Sequence, residues 1–302
     1  GGMKLFDTHA HFDTFEAEGS VAAVLSRAAA AGVERICAVG SSEASNARVV
    51  RLAAERPEVI VAAVGYDRDQ VDRPRDMQKL SDLASRPGVA AVGEIGLDYY
   101  YSAETAPAQR ALCGQMLEFA LERRLPVIVH SRYADEDTVD MLREFSTAWE
   151  KVFHSVEKIG GNFPQHGKNG AEFSTAWKKS FHGVENPEAC PLPPPGILHC
   201  FTGDAAFAEE LLALGFCISF SGIVSFNNAG PLREVAKGIP ADRVLIETDC
   251  PYLTPKPYRG KVNEPAYVTR VAEVLAEARG EPAGALAAAA FANARRVFQL
   301  EG

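Results

Sequence analysis

Eight short apolar runs, rich in β-branched and small residues, recur along this chain. They are LFDTHAH (5–11), VERICAVG (33–40), VIVAAVGY (59–66), VAAVGEIGLD (89–98), PVIVHS (126–131), GILHCFTG (196–203), FCISFSG (216–222) and RVLIETDC (243–250). Between them the apolar positions fall into helical spacing, as at 19–31, 43–56, 75–86, 106–124, 204–214 and 264–279. Near-continuous apolar strands alternating with helices indicate parallel strands covered on both faces. Eight such units predict a closed (β/α)8 TIM barrel rather than an open doubly wound sheet. No GxGxxG follows the first run, which removes the main support for a dinucleotide-binding fold.

One interval breaks the rhythm. Pro126 and Gly196, which open the fifth and sixth runs, are 70 residues apart. Inside lies a repeat: EFSTAWEKVFHSVE (144–157) recurs as EFSTAWKKSFHGVE (172–185), identical at 11 of 14 positions. Phe145, Trp149 and Phe153, and again Phe173, Trp177 and Phe181, are spaced by four and form one apolar stripe per copy. The pattern predicts a helical insertion at about 144–195 in a single barrel domain spanning 3–302. Its two helices are expected to pack on each other or on the barrel, with self-association or partner binding as the alternative. Proline-rich PLPPPG (191–196) reads as a stiff return to the sixth strand. Since the insertion follows the helix after strand five, it is expected away from the strand C-termini, where chemistry in such barrels sits.

A 47% hydrophobic, 24% charged composition supports one large core and excludes a disordered chain. Lys plus Arg number 31 against 40 Asp plus Glu, a net −9, which rules out a basic nucleic-acid coat but not a local basic rim. No apolar run approaches the roughly 18 residues of a membrane span, so no membrane partner is expected. The start, Gly1-Gly2-Met3-Lys4, shows no signal peptide, and Gly1 and Gly2 read as an expression scar. Six scattered cysteines without a CxxC pair are expected to be reduced thiols of a cytoplasmic protein.

The candidate chemistry lies at the ends of the runs. His9, His11, His130 and His199 occupy strands or their ends, as do Glu94 and Asp249, whereas His154, His166 and His182 lie in the insertion. An unpaired charge in a buried strand is costly, so polar residues at barrel strand ends point to a site. His9 and His11 leave one face of the first strand together. A lone strand-end histidine is more often a hydrogen-bonded core residue than a ligand. Four histidines and two carboxylates on five of eight strands instead indicate a metal site.

These residues sit in segments that resemble the TatD family of metal-dependent deoxyribonucleases, in the amidohydrolase-like barrel superfamily. The segments are FDTHAHFD (6–13), GEIGLDYY (93–100), VIVHSRYADED (127–137), LHCFTGD (198–204), SFSGIVSF (219–226), IETDCPYLTP (246–255) and PYRGKVNEP (257–265). They cover nearly the whole chain except the insertion, which departs from the family's short link before HCFTG. The resemblance implies two divalent ions, with His9, His11 and Asp249 on the first, His130 and His199 on the second, and Glu94 bridging. Imidazole favours Zn or Mn while the family is usually described as Mg-dependent, so Zn, Mn and Mg all remain open.

Such a site suits phosphodiester hydrolysis, with Asp249 and Glu94 as catalytic residues; the family resemblance further implies that single-stranded DNA is trimmed from its 3′ end. Asp7 and Asp98 are expected to orient ligand histidines. Arg132 and Arg259 are candidate phosphate contacts, Lys256 and Lys261 a basic rim, and Tyr99, Tyr100 and Tyr252 candidate stacking surfaces for a base. The alternative is an amidohydrolase-like enzyme acting on a small amide, lactone or ester. Against it, no lysine stands at a strand end to form a carbamylated bridge.

Overall fold

The computed structural model describes residues 2–158 and 192–300. The strands are β1 (Leu5–Ala10), β2 (Val33–Val39), β3 (Ile60–Val64), β4 (Val89–Asp98), β5 (Val127–Arg132), β6 (Gly196–Leu198), β7 (Cys217–Phe220) and β8 (Val244–Ile246). They pair in parallel in the order β1-β2-β3-β4-β5-β6-β7-β8, with helices between, as a nearly closed TIM barrel. The seam between β1 and β8 closes just past the last residue of β8. His11 N donates to Cys250 O and Asp249 N to His9 O, both at 2.9 Å.

Alternate strand residues divide between two apolar clusters, as the two-residue period of a strand requires. Phe6, Cys37, Val39, Val61, Ala63, Ala91, Ile128, Ile197, Cys217 and Leu245 fill the barrel interior. The helix Ala283–Val297 plugs that interior with Ala294 and Val297, and Phe291 and Phe298 lay their rings 5.7 and 5.5 Å from Phe6. Their neighbours Leu5, Ile36, Ala38, Ile60, Ala62 and Val64 face outward into the larger cluster beneath the helices. The interior therefore carries apolar residues at one end and polar ones at the other.

The helix after β5 runs Asp135–Lys158, straight through the expected start of the insertion at about 144. The first repeat copy is thus part of a barrel helix. Phe145 and Trp149 are buried in the common core, Phe153 packs against it, and Trp149 Nε1 donates to Pro193 O at 2.9 Å. This stripe packs on the barrel, as expected for the repeat helices, in this first copy. His154 lies on the exposed side of the helix. The second copy, His166 and His182 fall outside the described residues. No helix among those described is long and apolar enough to cross a membrane.

Candidate metal centre

The polar end of the barrel is the end where the strands finish. His9 lies on β1 with His11 one residue past it, Glu94 on β4 and His130 on β5. His199 follows β6 directly, and Asp249 stands three residues beyond β8 with φ +56°. A left-handed backbone at a non-glycine residue is uncommon outside functional sites, though Asp tolerates it better than most. Gly96 makes the approach of β4 to β5 possible. Its φ is +138°, and a Cβ there would lie 2.0 Å from His130 O.

The six expected residues converge on Glu94. His9 Nε2 and His11 Nε2 are 3.2 Å apart, and they lie 3.3 and 3.5 Å from Glu94 Oε2. Asp249 Oδ1 stands 3.6 Å from His9 Nε2 and 3.4 Å from His11 Nε2. Ligands at 2.0–2.1 Å around a tetrahedral zinc lie about 3.3–3.4 Å from one another, and these separations match that spacing. The other oxygen of Glu94 faces a second pair. His199 Nε2 is 3.3 Å from Oε1 and His130 Nδ1 is 3.5 Å from it.

The histidines are set by acids behind them. His199 Nδ1 lies 3.1 Å from Glu247 Oε1, and His130 Nε2 lies 3.0 Å from Asp98 Oδ2. With those nitrogens engaged, His199 Nε2 and His130 Nδ1 turn toward Glu94, the arrangement of a carboxylate–histidine–metal relay. His199 Nε2 is buried and has no hydrogen-bond partner. Such an orphaned atom in a cluster of acids fits a cation ligand. The residues present therefore fit divalent ions.

The electrostatics agree. Burial pushes the Glu94 carboxyl up, but His199 and Arg68 outweigh it and hold the group well below the usual carboxylate range. Burial also raises Asp249, and the hydrogen bond from His11 with the charge of His9 brings it below its ordinary value. The same pairing acts in reverse on His11, which burial lowers and Asp249 carries up to about 9. Both acids are anions at neutral pH.

Two expected residues lie elsewhere. Asp7 touches no histidine ring: it accepts from Thr248 N at 2.9 Å and from Thr248 Oγ1 at 2.6 Å, and it meets the His9 backbone N–H at 3.3 Å. It clamps the β1–β8 seam that carries His9 and Asp249. Tyr99 gives its hydroxyl to Asp137 Oδ2 at 2.6 Å and is no open stacking surface. Arg259 stacks its guanidinium 4.3 Å from the Phe226 ring and donates to Thr254 O at 3.0 Å, and Arg132 lies 3.9 Å from the Tyr100 ring. Tyr252 is 62% exposed with its ring 6.2 Å from that of His11, so it borders the site.

Sequence reasoning missed three residues here: Glu247, Arg68 and Tyr133. Glu247 is two residues before Asp249, the strand period that links His9 to His11, so its signal was in the same motif. Tyr133, 73% exposed, sets its ring 5.3 Å from Tyr100.

Comparison with known proteins gives this geometry its family. The model of TatD-related DNases matches residues 6–299. The chain belongs to the TatD family. It is 35% identical over 298 residues to the uncharacterized metal-dependent hydrolase YabD of Bacillus subtilis, covering 98% of this chain and 99% of that one. It is 37% identical over 302 residues to the uncharacterized metal-dependent hydrolase YcfH of Escherichia coli, covering 99% and 97%. Among solved structures, the TatD homolog YjjV of Escherichia coli superposes with a TM-score of 0.78 at 28% identity over 98% of both chains. The protein is thus a metal-dependent hydrolase of the TatD family.

Proposed function

We propose that this TatD-family hydrolase is a deoxyribonuclease that cleaves phosphodiesters with two divalent ions, trimming single-stranded DNA from its 3′ end. The observation that carries the reading is the division of Glu94: Oε2 faces His9 and His11, and Oε1 faces His130 and His199. A carboxylate shared between two histidine pairs suits a bridge between two cations. His9, His11 and Asp249 would hold one ion, His130 and His199 the other. When bound, the ions supply positive charge where a phosphodiester develops negative charge, and they lower the cost of deprotonating water.

The protein's own groups then have definite tasks. Asp249, anionic beside His9 and His11, accepts the proton of the attacking water. Glu247 and Asp98 hold two imidazoles in one tautomer, so no reorganisation is required as charge develops. The exposed rings of Tyr252, Tyr100 and Tyr133, with Arg132 over Tyr100, offer faces on which unpaired bases stack. Arg259 and Arg132 are the phosphate contacts of this reading.

The test is release of nucleotides from single-stranded DNA labelled at its 5′ end, with Mg²⁺, Mn²⁺ or Zn²⁺. Progressive shortening, stopped by a chelator and absent in Glu94→Ala, is the expected result. An intact ladder under all three ions, with turnover of an amide, lactone or carboxylic ester instead, would transfer the site to the amidohydrolase-like reading.

A further inference from the structure

The metal reading makes no use of Arg68, a permanently charged side chain among these acids. Arg68 follows β3, at the start of a 3-10 turn (Arg68–Gln70) on the same end of the barrel as the histidines. Its Nη1 donates to Glu94 Oε1 at 2.7 Å and also meets Asp67 Oδ2, while its Nε stands 3.8 Å from Asp98 Oδ2. Asp67 is itself buried and accepts the Arg68 backbone N–H at 2.7 Å, so the guanidinium is held from both ends. The oxygen it occupies is the one that His199 Nε2 and His130 Nδ1 face. The other oxygen, toward His9 and His11, carries no such partner among the described contacts.

Resting on the metal reading above, we infer that Arg68 is a resident cation of the second half-site, so that the two ions load unequally. The position formed by His9, His11, Asp249 and Glu94 Oε2 fills first and tightly. The position formed by His130, His199 and Glu94 Oε1 fills only against Arg68. Three features support the asymmetry. A guanidinium stays charged at any working pH, so the repulsion is not relieved by losing a proton. The hydrogen bond directs one lone pair of Oε1 away from an incoming ion. Asp98 is shared as well, since its Oδ2 serves both His130 Nε2 and the Arg68 side chain. A second ion must draw on a carboxylate and a relay already committed to a neighbouring positive charge.

The consequence for the reaction is a choice of cation. With one ion bound, Arg68 supplies the positive charge on the His130 side of Glu94, and a divalent ion replaces that role only when its concentration is high enough.

The experiment is a calorimetric titration of the chelator-dialysed full chain with Mn²⁺ and, separately, Zn²⁺. Wild type is expected to take one equivalent tightly and a second at least about tenfold more weakly. Arg68→Met should tighten the second step by about tenfold or more while the first stays unchanged. Arg68→Lys, which keeps the charge, should keep the gap. If Arg68→Met does not fold, Arg68→Gln removes the charge but retains a donor for Glu94 and carries the same expectation. Two equal steps in wild type, or a second step no tighter in the neutral variants, would overturn the inference and leave the two-ion reading standing. No ion taken up by any folded variant would overturn the metal reading itself.

Discussion

At the scale of single residues, the site depends on acids that touch no ion position themselves. Glu247 is fully buried and its contact with His199 Nδ1 fixes which nitrogen of that ring faces Glu94. Glu247→Gln keeps the side-chain shape but offers an amide in place of the carboxylate, weakening the hold on the tautomer and the basicity of the other nitrogen. Metal affinity should fall about 10–100-fold with the barrel still folded. Calorimetric titration beside a melting curve checks both halves of that statement, and unchanged affinity would deny Glu247 its positioning role. The histidines that gather around Glu94 were legible in the sequence because a histidine in an apolar strand is conspicuous. Glu247 was less so, since Asp249 in the same motif already explained an acid there. Arg68 was not legible at all: nothing in its neighbours shows that a loop arginine turns back over β4.

At the scale of elements, the strands were readable because their apolar runs need no partner information, only the parallel-sheet rule. Their ends were not. The run GILHCFTG extends to 203, but β6 stops at Leu198 and β8 at Ile246, and His199, Glu247 and Asp249 follow the interior residues Ile197 and Leu245 at intervals of two beyond those ends. Backbone bonds from His199 N to Val129 O and from Glu247 N to Phe220 O, both 3.0 Å, carry the alternation past the strand ends. The repeat left two descriptions open, helices packed on the barrel or a separate module for a partner. In its first copy the stripe is the inward face of a barrel helix. Trp149 decides which description is physical, being buried and bonded to Pro193 O, where the chain returns toward β6. Trp149→Ala should cost about 3–5 kcal/mol through the cavity it leaves, with the lost hydrogen bond included. A melting temperature within a degree of wild type would show that the helix past residue 144 lies outside the cooperative core.

At the scale of the whole molecule, the two ends of the barrel divide its labour. The interior near the strand starts is sealed by Phe6 against Phe291 and Phe298, and stability is secured there by apolar area. The opposite end gathers Glu94, Asp249, Glu247, Asp98 and Asp67 around one arginine, a concentration of buried acid that destabilises the fold unless it is compensated. Two of those acids, Asp249 and Glu247, lean on histidines rather than on fixed cations. Binding divalent ions there adds the missing charge and ties β1, β4, β5 and the segments after β6 and β8 to one centre, so the folded state gains what the unfolded chain cannot. At an ion concentration one hundred times the dissociation constant that linkage is worth about 2.7 kcal/mol. For a chain of this length it corresponds to a rise of roughly 4–6 °C in melting temperature. Scanning calorimetry of chelator-treated protein, before and after Mn²⁺ or Zn²⁺ is restored, measures it directly. In Glu94→Ala the rise should largely vanish, because both half-sites lose their shared oxygen donor. If that variant gained as much from the ions as wild type, the stabilising cations would be binding elsewhere, and the barrel mouth would need another explanation for its acids.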